Sequence, residues 1–147
     1  MLAFDSVTID WVRTRYHGVE AMPHCYLYAV TCGKQLRYIG ESYDSAPDRV
    51  KQIGHIRAKY ENDLLGCWIW FGYINRSNFD RISQERIFDI ESLLIYLNQP
   101  LDNVPHKKNY RTNGRQNLIV HCRGCPHLLP KVQVREGLFS PKAKLLG

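Results

Sequence analysis

The chain has 147 residues, enough for one domain with a sizeable core, and its hydrophobic fraction of 44% and charged fraction of 23% are ordinary for a soluble globular protein. No apolar run, such as the one at residues 67–71, approaches the ~18 residues of a membrane span, and the N-terminus lacks the basic start and apolar block of a signal peptide. These features predict a cytoplasmic protein without a membrane partner, and the net charge of +6 favours a polyanionic one.

The first elements predicted along the chain are a lead-in and a β-hairpin. Residues 1–23 are weakly patterned, with a short strand at 7–12. Two strands follow at 25–30 and 36–41. Gly33, between them, supplies the positive φ that a hairpin loop needs. The hairpin is therefore the first well-defined unit of the fold.

A helix, a third strand and a long helix are predicted next. Ser45 is a suitable N-cap for the first helix, and Pro47 falls in its first turn. The aromatic run at 68–73 predicts a third strand, covered on at least one face. The long helix spans about 79–98, because Pro100 prevents its continuation.

The last predicted elements are a strand at 116–122 and an irregular remainder. The order strand, strand, helix, strand, helix predicts an α+β fold, in which the hairpin and the third strand form a three-stranded antiparallel sheet flanked by helices. We divide the chain into the lead-in at 1–23, a core at 24–104 and a basic C-terminal extension at 105–147 that packs on the core.

Glu91 is a carboxylate in an apolar stripe of the long helix. Its neighbours three and four residues away are Ile87, Phe88, Leu94 and Ile95. An unpaired charge in such a stripe is very costly, so we expect the group to be neutral, ion-paired or bound to a cation. The alternative to a cation site is a structural salt bridge to Arg49 or Arg37.

The two hairpin strands carry the triplets Tyr-Leu-Tyr at 26–28 and Tyr-Ile-Gly at 38–40, and with Arg49 and Glu91 they resemble the GIY-YIG nuclease family. The second triplet matches outright, whereas the first keeps only its last tyrosine. The resemblance covers about residues 24–104. It implies a small GIY-YIG-like domain that hydrolyses phosphodiester bonds in DNA with a single Mg²⁺ or Mn²⁺, through in-line attack of water.

The resemblance also implies a role for each matching residue. Glu91 holds the metal, and Arg49 offsets the charge that develops on the phosphate oxygens. Tyr28 lies near the attacking water as its general base, with a pKa lowered by Arg49 and the metal. Tyr38 holds the water or the scissile phosphate in line.

Two further residues could complete the site. His55 is a catalytic candidate, although it follows Arg49 by more than the one helical turn usual in the family; a surface residue at a helix end is the alternative. Asn103 matches the asparagine that some restriction-enzyme-like members place after the long helix to hold the active site together. The alternative for Asn103 is a simple turn residue.

Positive charge is concentrated in the C-terminal part of the chain. Residues 1–104 hold 11 Lys and Arg against 13 Asp and Glu, whereas residues 105–147 hold 9 basic residues and one acidic residue. The net charges are therefore −2 and +8. Such a segment is typical of a protein that binds DNA, with a solvated tail as the alternative. The candidate DNA contacts are Lys107, Lys108, Arg111 and Arg115.

The five cysteines predict a reduced protein. An odd number at scattered spacings argues against a disulfide framework and fits a reducing compartment. Cys25 and Cys67 lie in apolar strand-like runs, where a cysteine behaves as a small buried hydrophobe.

The remaining pair, Cys122 and Cys125, forms one CxxC motif flanked by His121 and His127. A zinc site built from these four residues, or with His106, is one interpretation. Unligated cysteines in a turn are the other, because a single CxxC without a second one is a weak signal.

Two functions from other classes are also compatible with the sequence. The altered first triplet fits a DNA-binding module that keeps the fold without the chemistry. The CxxC segment fits a zinc-stabilised interaction protein. For an endonuclease, the small size suits either a homodimer that cuts both strands or a structure-selective nicking enzyme.

Overall fold

A computed structural model of the chain describes residues 5–15, 25–41, 60, 66–75, 83–103, 117–135 and 138–139. Within these residues the chain forms seven strands and one helix. The strands are β1 Asp5–Thr14, β2 Leu27–Cys32, β3 Gln35–Glu41, β4 Cys67–Asn75, β5 Leu118–Arg123, β6 Lys131–Arg135 and β7 Leu138–Phe139. The helix, α1, is Gln84–Asn98.

The seven strands form one sheet in the order β3-β2-β4-β1-β5-β6-β7. Neighbouring strands pair antiparallel except β1 and β5, which are parallel. In this register Trp11 lies opposite Gly72 of β4, and Val7 lies beside Val120 of β5. Strand β1 therefore joins the β3-β2-β4 unit to the C-terminal strands.

The predicted fold class, a three-stranded antiparallel sheet flanked by helices, is wrong. The hairpin and the third strand do form, but they are three of seven strands in a mixed sheet, and the described part of the chain has one helix. The reason is that β1 and β5 are themselves half-buried strands. Ile9, Trp11 and Leu118 lie in the core, and each strand has backbone groups that must pair with a neighbouring strand.

The strands predicted at 7–12 and 116–122 correspond to β1, which is longer at both ends, and β5, which begins at Leu118 and ends one residue later than predicted. The prediction of an irregular remainder is wrong, because residues 131–135 form β6 and pair with β5. Val132 and Val134 are buried on one face of β6, so the strand has the alternation typical of a half-buried strand. The helix predicted to follow Ser45 lies outside the described residues.

Helix α1 begins later than predicted, because Ser83 is its N-cap. Ser83 is extended (φ −76°, ψ 156°), and its hydroxyl accepts a hydrogen bond from the Arg86 N–H at 3.1 Å. The helix ends at Gln99, whose φ of 54° is left-handed, directly before Pro100. The predicted C-terminal end is therefore confirmed.

The core is divided between the two faces of the sheet. On the helix-side face, α1 packs on alternate residues of the central strands, and the cluster includes Ile87, Ile90, Leu93, Leu94, Ile9, Leu27 and Val120. The opposite face, here called the tyrosine face, carries a smaller cluster that includes Tyr28, Val30, Ile69 and Phe71. The division follows from the alternation of side chains along each strand.

A disulfide links the hairpin to the third strand. Cys32 of β2 lies directly opposite Cys67 of β4, with 4.2 Å between their Cα atoms, and the two are bonded. The prediction that the cysteines are all reduced is therefore wrong for this pair, since strand register brings together residues 35 apart in sequence. Cys25, Cys122 and Cys125 are free and buried, which confirms the prediction for Cys25.

Candidate active site

Two tyrosines from adjacent strands form the centre of the candidate site. Tyr28 of β2 and Tyr38 of β3 have ring centroids 6.0 Å apart, with their planes tilted by 34°. A hydrogen bond joins their hydroxyl groups; Tyr28 is the donor, since this bond raises the pKa of Tyr28 and lowers that of Tyr38. The two phenols, which were selected from sequence, are thus in direct contact on the tyrosine face.

Gly40 makes room for Tyr28. The two residues are partners across the β2–β3 ladder. A Cβ atom at position 40 would overlap the Tyr28 ring, with the Cε1 atom only 2.7 Å away. The last residue of the Tyr-Ile-Gly triplet therefore has a steric function, because any larger side chain would displace the phenol.

Glu91 of helix α1 acts on this site through its charge, although α1 packs on the opposite face of the sheet. Burial and, secondarily, the negative charge of Glu41 raise the pKa of the Glu91 carboxyl to about 8. The negative charge of Glu91 in turn raises the pKa of both tyrosines. The three groups are therefore electrostatically coupled, as the metal-site prediction requires, and Glu91 is protonated at neutral pH when no cation is near.

The surroundings of Glu91 match the predicted apolar stripe in part. Ile87, Leu94 and Ile95 are buried, whereas Phe88 is 36% exposed. Of the two arginines considered as partners, Arg37 forms its ion pair with Asp102 instead, at 2.9 Å. Arg49 lies outside the described residues. Within the described part of the chain, no basic side chain contributes to the shifted pKa of Glu91.

Burial also determines the protonation of Tyr28. It raises the pKa of Tyr28 well above its usual range, and the contributions of Tyr38 and Glu91 have the same direction. Without a cation this direction is opposite to the lowering predicted for a general base. In the metal-free protein Tyr28 is therefore a hydrogen-bond donor.

Asn103 holds the edge strand of this site in place. Its side chain accepts a hydrogen bond from the Ile39 N–H and donates one to the Ile39 carbonyl, both at 2.9 Å. The preceding Asp102 N–H donates to the Arg37 carbonyl at 2.7 Å. Residues 101–103 thus run along the free edge of β3 and fix the backbone between Tyr38 and Gly40.

Glu41 and Tyr60 were not selected from sequence. Glu41 follows Gly40 at the end of β3 and is the nearest acidic influence on Glu91. The buried Tyr60 donates its hydroxyl hydrogen to Asp102 at 2.8 Å, and its ring lies 5.8 Å from the Arg37 guanidinium. The position of Glu41 directly after the triplet was a usable signal, but nothing in the sequence connected Tyr60 to Asp102.

Several predicted site residues lie outside the described residues. They are the catalytic candidates Arg49 and His55, the DNA contacts Lys107, Lys108, Arg111 and Arg115, and the alternative zinc ligand His106. Their predicted roles stay predictions.

The four central zinc candidates do not converge. Among the described residues, no group of three or more His, Cys, Asp or Glu side chains could hold a metal ion. In the metal-free protein, burial raises the pKa of Cys122 to about 12 and that of Cys125 to about 11. His121 precedes Cys122 on the strand and so points to the other face, and His127 lies against the Trp70 ring.

No family model, curated protein or solved structure matches this chain. The GIY-YIG resemblance therefore rests on the residues of the hairpin and of helix α1 alone. In the part of the chain that the structure describes, no helix is long and apolar enough to cross a membrane.

Proposed function

We propose that the protein is a metal-dependent endonuclease of the GIY-YIG type, which hydrolyses phosphodiester bonds in DNA by single-metal in-line attack of water. The observation that carries this proposal is Glu91, whose carboxyl has a pKa of about 8 and is coupled to two contacting phenols. A strongly perturbed carboxyl beside other titratable groups is typical of functional sites.

The donor groups present fit Mg²⁺ or Mn²⁺. Magnesium takes oxygen ligands and is commonly held by one or two carboxylates, with water and substrate phosphate completing its shell. Glu91 would hold the ion, and Glu41 is the second carboxylate whose charge acts on it. When bound, the ion would supply positive charge to the phosphate oxygens and the leaving oxygen.

The tyrosines would orient the reactants. Tyr28 is protonated and buried and donates its hydroxyl hydrogen to Tyr38, so it would orient the Tyr38 hydroxyl, whose own hydrogen would position the attacking water or a phosphate oxygen. Tyr38 accepts the hydrogen bond from Tyr28 and is less buried, so it is the phenol closer to solvent and to the DNA. Both depend on Gly40 and Asn103 for their placement.

The remaining parts of the proposal come from the sequence. Arg49 would neutralise charge on the phosphate, with His55 assisting the water, and the basic segment 105–147 would bind the duplex backbone. The altered first triplet, Tyr-Leu-Tyr, favours a second candidate function, a DNA-binding module without catalysis.

Incubation of the purified protein with supercoiled plasmid distinguishes the endonuclease from the non-catalytic DNA-binding module. We expect nicked or linear DNA with Mg²⁺ or Mn²⁺ and none with EDTA. A gel-shift measurement on the same preparation records binding. Retarded but intact plasmid at every metal concentration would contradict the endonuclease and favour the binding module.

A further inference from the structure

A second site lies at the turn end of the β2–β3 hairpin, on the helix-side face. A cavity of about 590 Å³ opens there between β1, β4, Gly33 of the hairpin turn and the connection from β5 to β6. That connection contributes His127. None of the residues described so far in the candidate active site lines this cavity.

Arg13 of β1 lines the cavity and gives it positive charge, and Arg15, which follows the end of β1, contacts the same tryptophan ring. The guanidinium of Arg13 lies 4.2 Å from the centre of the Trp68 ring, and that of Arg15 lies 3.5 Å from it. Arg15 also donates from Nη1 to the Cys67 carbonyl at 3.1 Å, which fixes its position. Arg13 is exposed, and among the described residues no Asp or Glu lines the cavity. The mouth of the cavity is therefore cationic.

The walls are aromatic and held in place. The chain has three tryptophans, and Trp11, Trp68 and Trp70 all line the cavity. Trp70 donates from its indole nitrogen to the Thr31 hydroxyl at 2.7 Å, and its ring meets the edge of His127 with centroids 6.4 Å apart. Trp11 and Trp70 are buried, so the stacking surface open to a ligand is Trp68 with Arg13 lying on it.

From this combination we propose that the cavity binds a nucleotide. Bases stack on aromatic rings and on arginine guanidinium planes, and guanidinium groups bind phosphate in a bidentate manner. Arg13 presents an exposed plane stacked on Trp68, so the base would lie against Arg13 and Trp68, with the phosphate at the arginines. The shared ligand chemistry is a nucleobase carrying a phosphate, as a free nucleotide or in a single strand.

The site is separate from the proposed active site. Trp70 is opposite Ala29 in the β2–β4 ladder, whereas Tyr28 is opposite Phe71, so their side chains are on opposite faces. Along β2, Tyr28 and Gly33 are about 17 Å apart at the usual rise per residue. The inference rests on the proposed function only in assuming that the bound nucleic acid is DNA. Nucleotide binding itself can be tested without catalysis.

The fluorescence of the three tryptophans reports on the site directly, because all of them line it. The protein is titrated in EDTA with thymidine 5′-monophosphate, a short oligothymidylate or inorganic phosphate. We expect both thymidine ligands to quench the fluorescence and inorganic phosphate to compete only weakly. Tighter binding of the oligonucleotide assigns the site to a strand, and equal affinities assign it to a free nucleotide.

Matched variants identify the residues. Arg13→Ala should weaken nucleotide binding by about tenfold, the loss expected for one charge-assisted contact. Arg13→Lys should recover only part of it, because lysine keeps the charge and loses the planar group. Arg86→Ala removes a positive charge on helix α1, outside the cavity and outside the basic segment 105–147, and should change binding by less than about twofold.

Three results would overturn the inference: no quenching by either thymidine ligand, equal competition by inorganic phosphate, or equal effects of Arg13→Ala and Arg86→Ala. Circular dichroism of each variant checks that it is folded. The titration contains no divalent metal, so its result is independent of cleavage. If the protein cleaves plasmid but its fluorescence is not quenched, only the nucleotide-site inference is wrong. If its fluorescence is quenched but plasmid is not cleaved, only the proposed endonuclease function is wrong.

Discussion

At Glu91 the protein keeps a carboxyl group in a mostly buried position beside a second one, Glu41. Among the described residues, the groups that interact electrostatically with Glu91 are Glu41 from β3 and the phenols Tyr28 and Tyr38, none of which carries positive charge. The folded, metal-free protein therefore holds a proton on Glu91 that an unfolded chain would release. A divalent cation would stabilise the ionised carboxylate in this buried position, which is why Glu91 is central to the proposed function.

The shifted pKa of Glu91 predicts a pH-dependent stability. Its folded value of about 8 lies above the ordinary 4.5, so between these values the unfolded state releases the proton first, and the free energy of unfolding falls as pH rises. The slope contributed by this group is at most about 1.4 kcal/mol per pH unit. Urea denaturation of the metal-free protein at several pH values measures it.

Two glutamine variants provide the comparison for this pH dependence. Glu91→Gln cannot ionise at position 91, so the part of the fall in unfolding free energy that comes from this group should be absent. Glu85→Gln changes an exposed glutamate on the same helix and should keep the wild-type profile. If wild type and Glu91→Gln lose stability in parallel between pH 5 and 8, the carboxyl is not the source.

The sequence located some of these residues and missed others for identifiable reasons. Tyr28, Tyr38 and Glu91 could be selected because the triplets and the apolar helix neighbours are local in sequence. The overlap between a Cβ at Gly40 and Tyr28 depends on the strand register, which the sequence did not determine at that precision. The same is true of Glu41, whose influence on Glu91 depends on how the helix packs.

Strand β3 lies at the edge of the sheet, and Asn103 substitutes for a missing neighbour there. Asn103→Ala would leave the N–H and the carbonyl of Ile39 without their partner, at a cost of about 1–3 kcal/mol. Because Ile39 lies between Tyr38 and Gly40, we also expect the plasmid cleavage rate to fall. Chemical denaturation and a cleavage assay on the same preparation give both quantities.

Asn98 is a suitable control for this prediction. Its side chain also makes two backbone hydrogen bonds, donating to the Leu94 carbonyl and accepting from the Leu129 N–H, but neither bond involves β3. Asn98→Ala should lose comparable stability and retain the cleavage rate of the folded protein. Equal losses of rate in both variants would mean that stability, and not the position of β3, limits the activity.

The cross-strand disulfide links two elements of the proposed nuclease core. Closing a loop between Cys32 and Cys67, 35 residues apart, stabilises a fold by about 3–4 kcal/mol in the chain-entropy account. We expect that loss in a variant with serine at both positions, and no further effect of a reductant on it. Thiol titration of the unfolded, unreduced protein should find three of the five cysteines, and five reactive thiols would contradict the bond.

At the level of elements, periodicity predicted strands better than it predicted their partners. The hairpin was predictable because its pairing is local and its turn contains Gly33. The parallel pairing of β1 with β5 joins residues more than a hundred positions apart, and no local pattern specifies it. Strand β6 was missed because the surrounding glycine and proline residues hid the alternation of Val132 and Val134.

For the molecule as a whole, one sheet includes strands from all three predicted segments. Strand β1 comes from the lead-in, β2 to β4 from the predicted core, and β5 to β7 from the basic extension. The extension is therefore tied to the rest of the sheet by the β1–β5 ladder. Because of this connection and the charge asymmetry of the sequence, we expect the C-terminal segment to contribute to one DNA-binding surface.

The charge asymmetry predicts a salt dependence. Replacement of Lys107, Lys108 and Arg111 by glutamate should weaken DNA binding similarly for all sequences. It should flatten the dependence of log affinity on log salt by roughly 0.9 for each phosphate that the variant no longer neutralises. Filter binding at several salt concentrations measures the slope. An unchanged slope would show that these residues belong to a solvated tail.

The most direct test of the account is the single-turnover cleavage rate of supercoiled plasmid in Mg²⁺ by the wild type, Glu91→Gln and Glu85→Gln, with protein in excess. We expect Glu91→Gln to bind DNA normally but to cleave it roughly 10²-fold more slowly or worse, since it cannot hold the cation. Glu85→Gln should match the wild type. Cleavage by Glu91→Gln at the wild-type rate would contradict the proposal that Glu91 holds the catalytic metal ion.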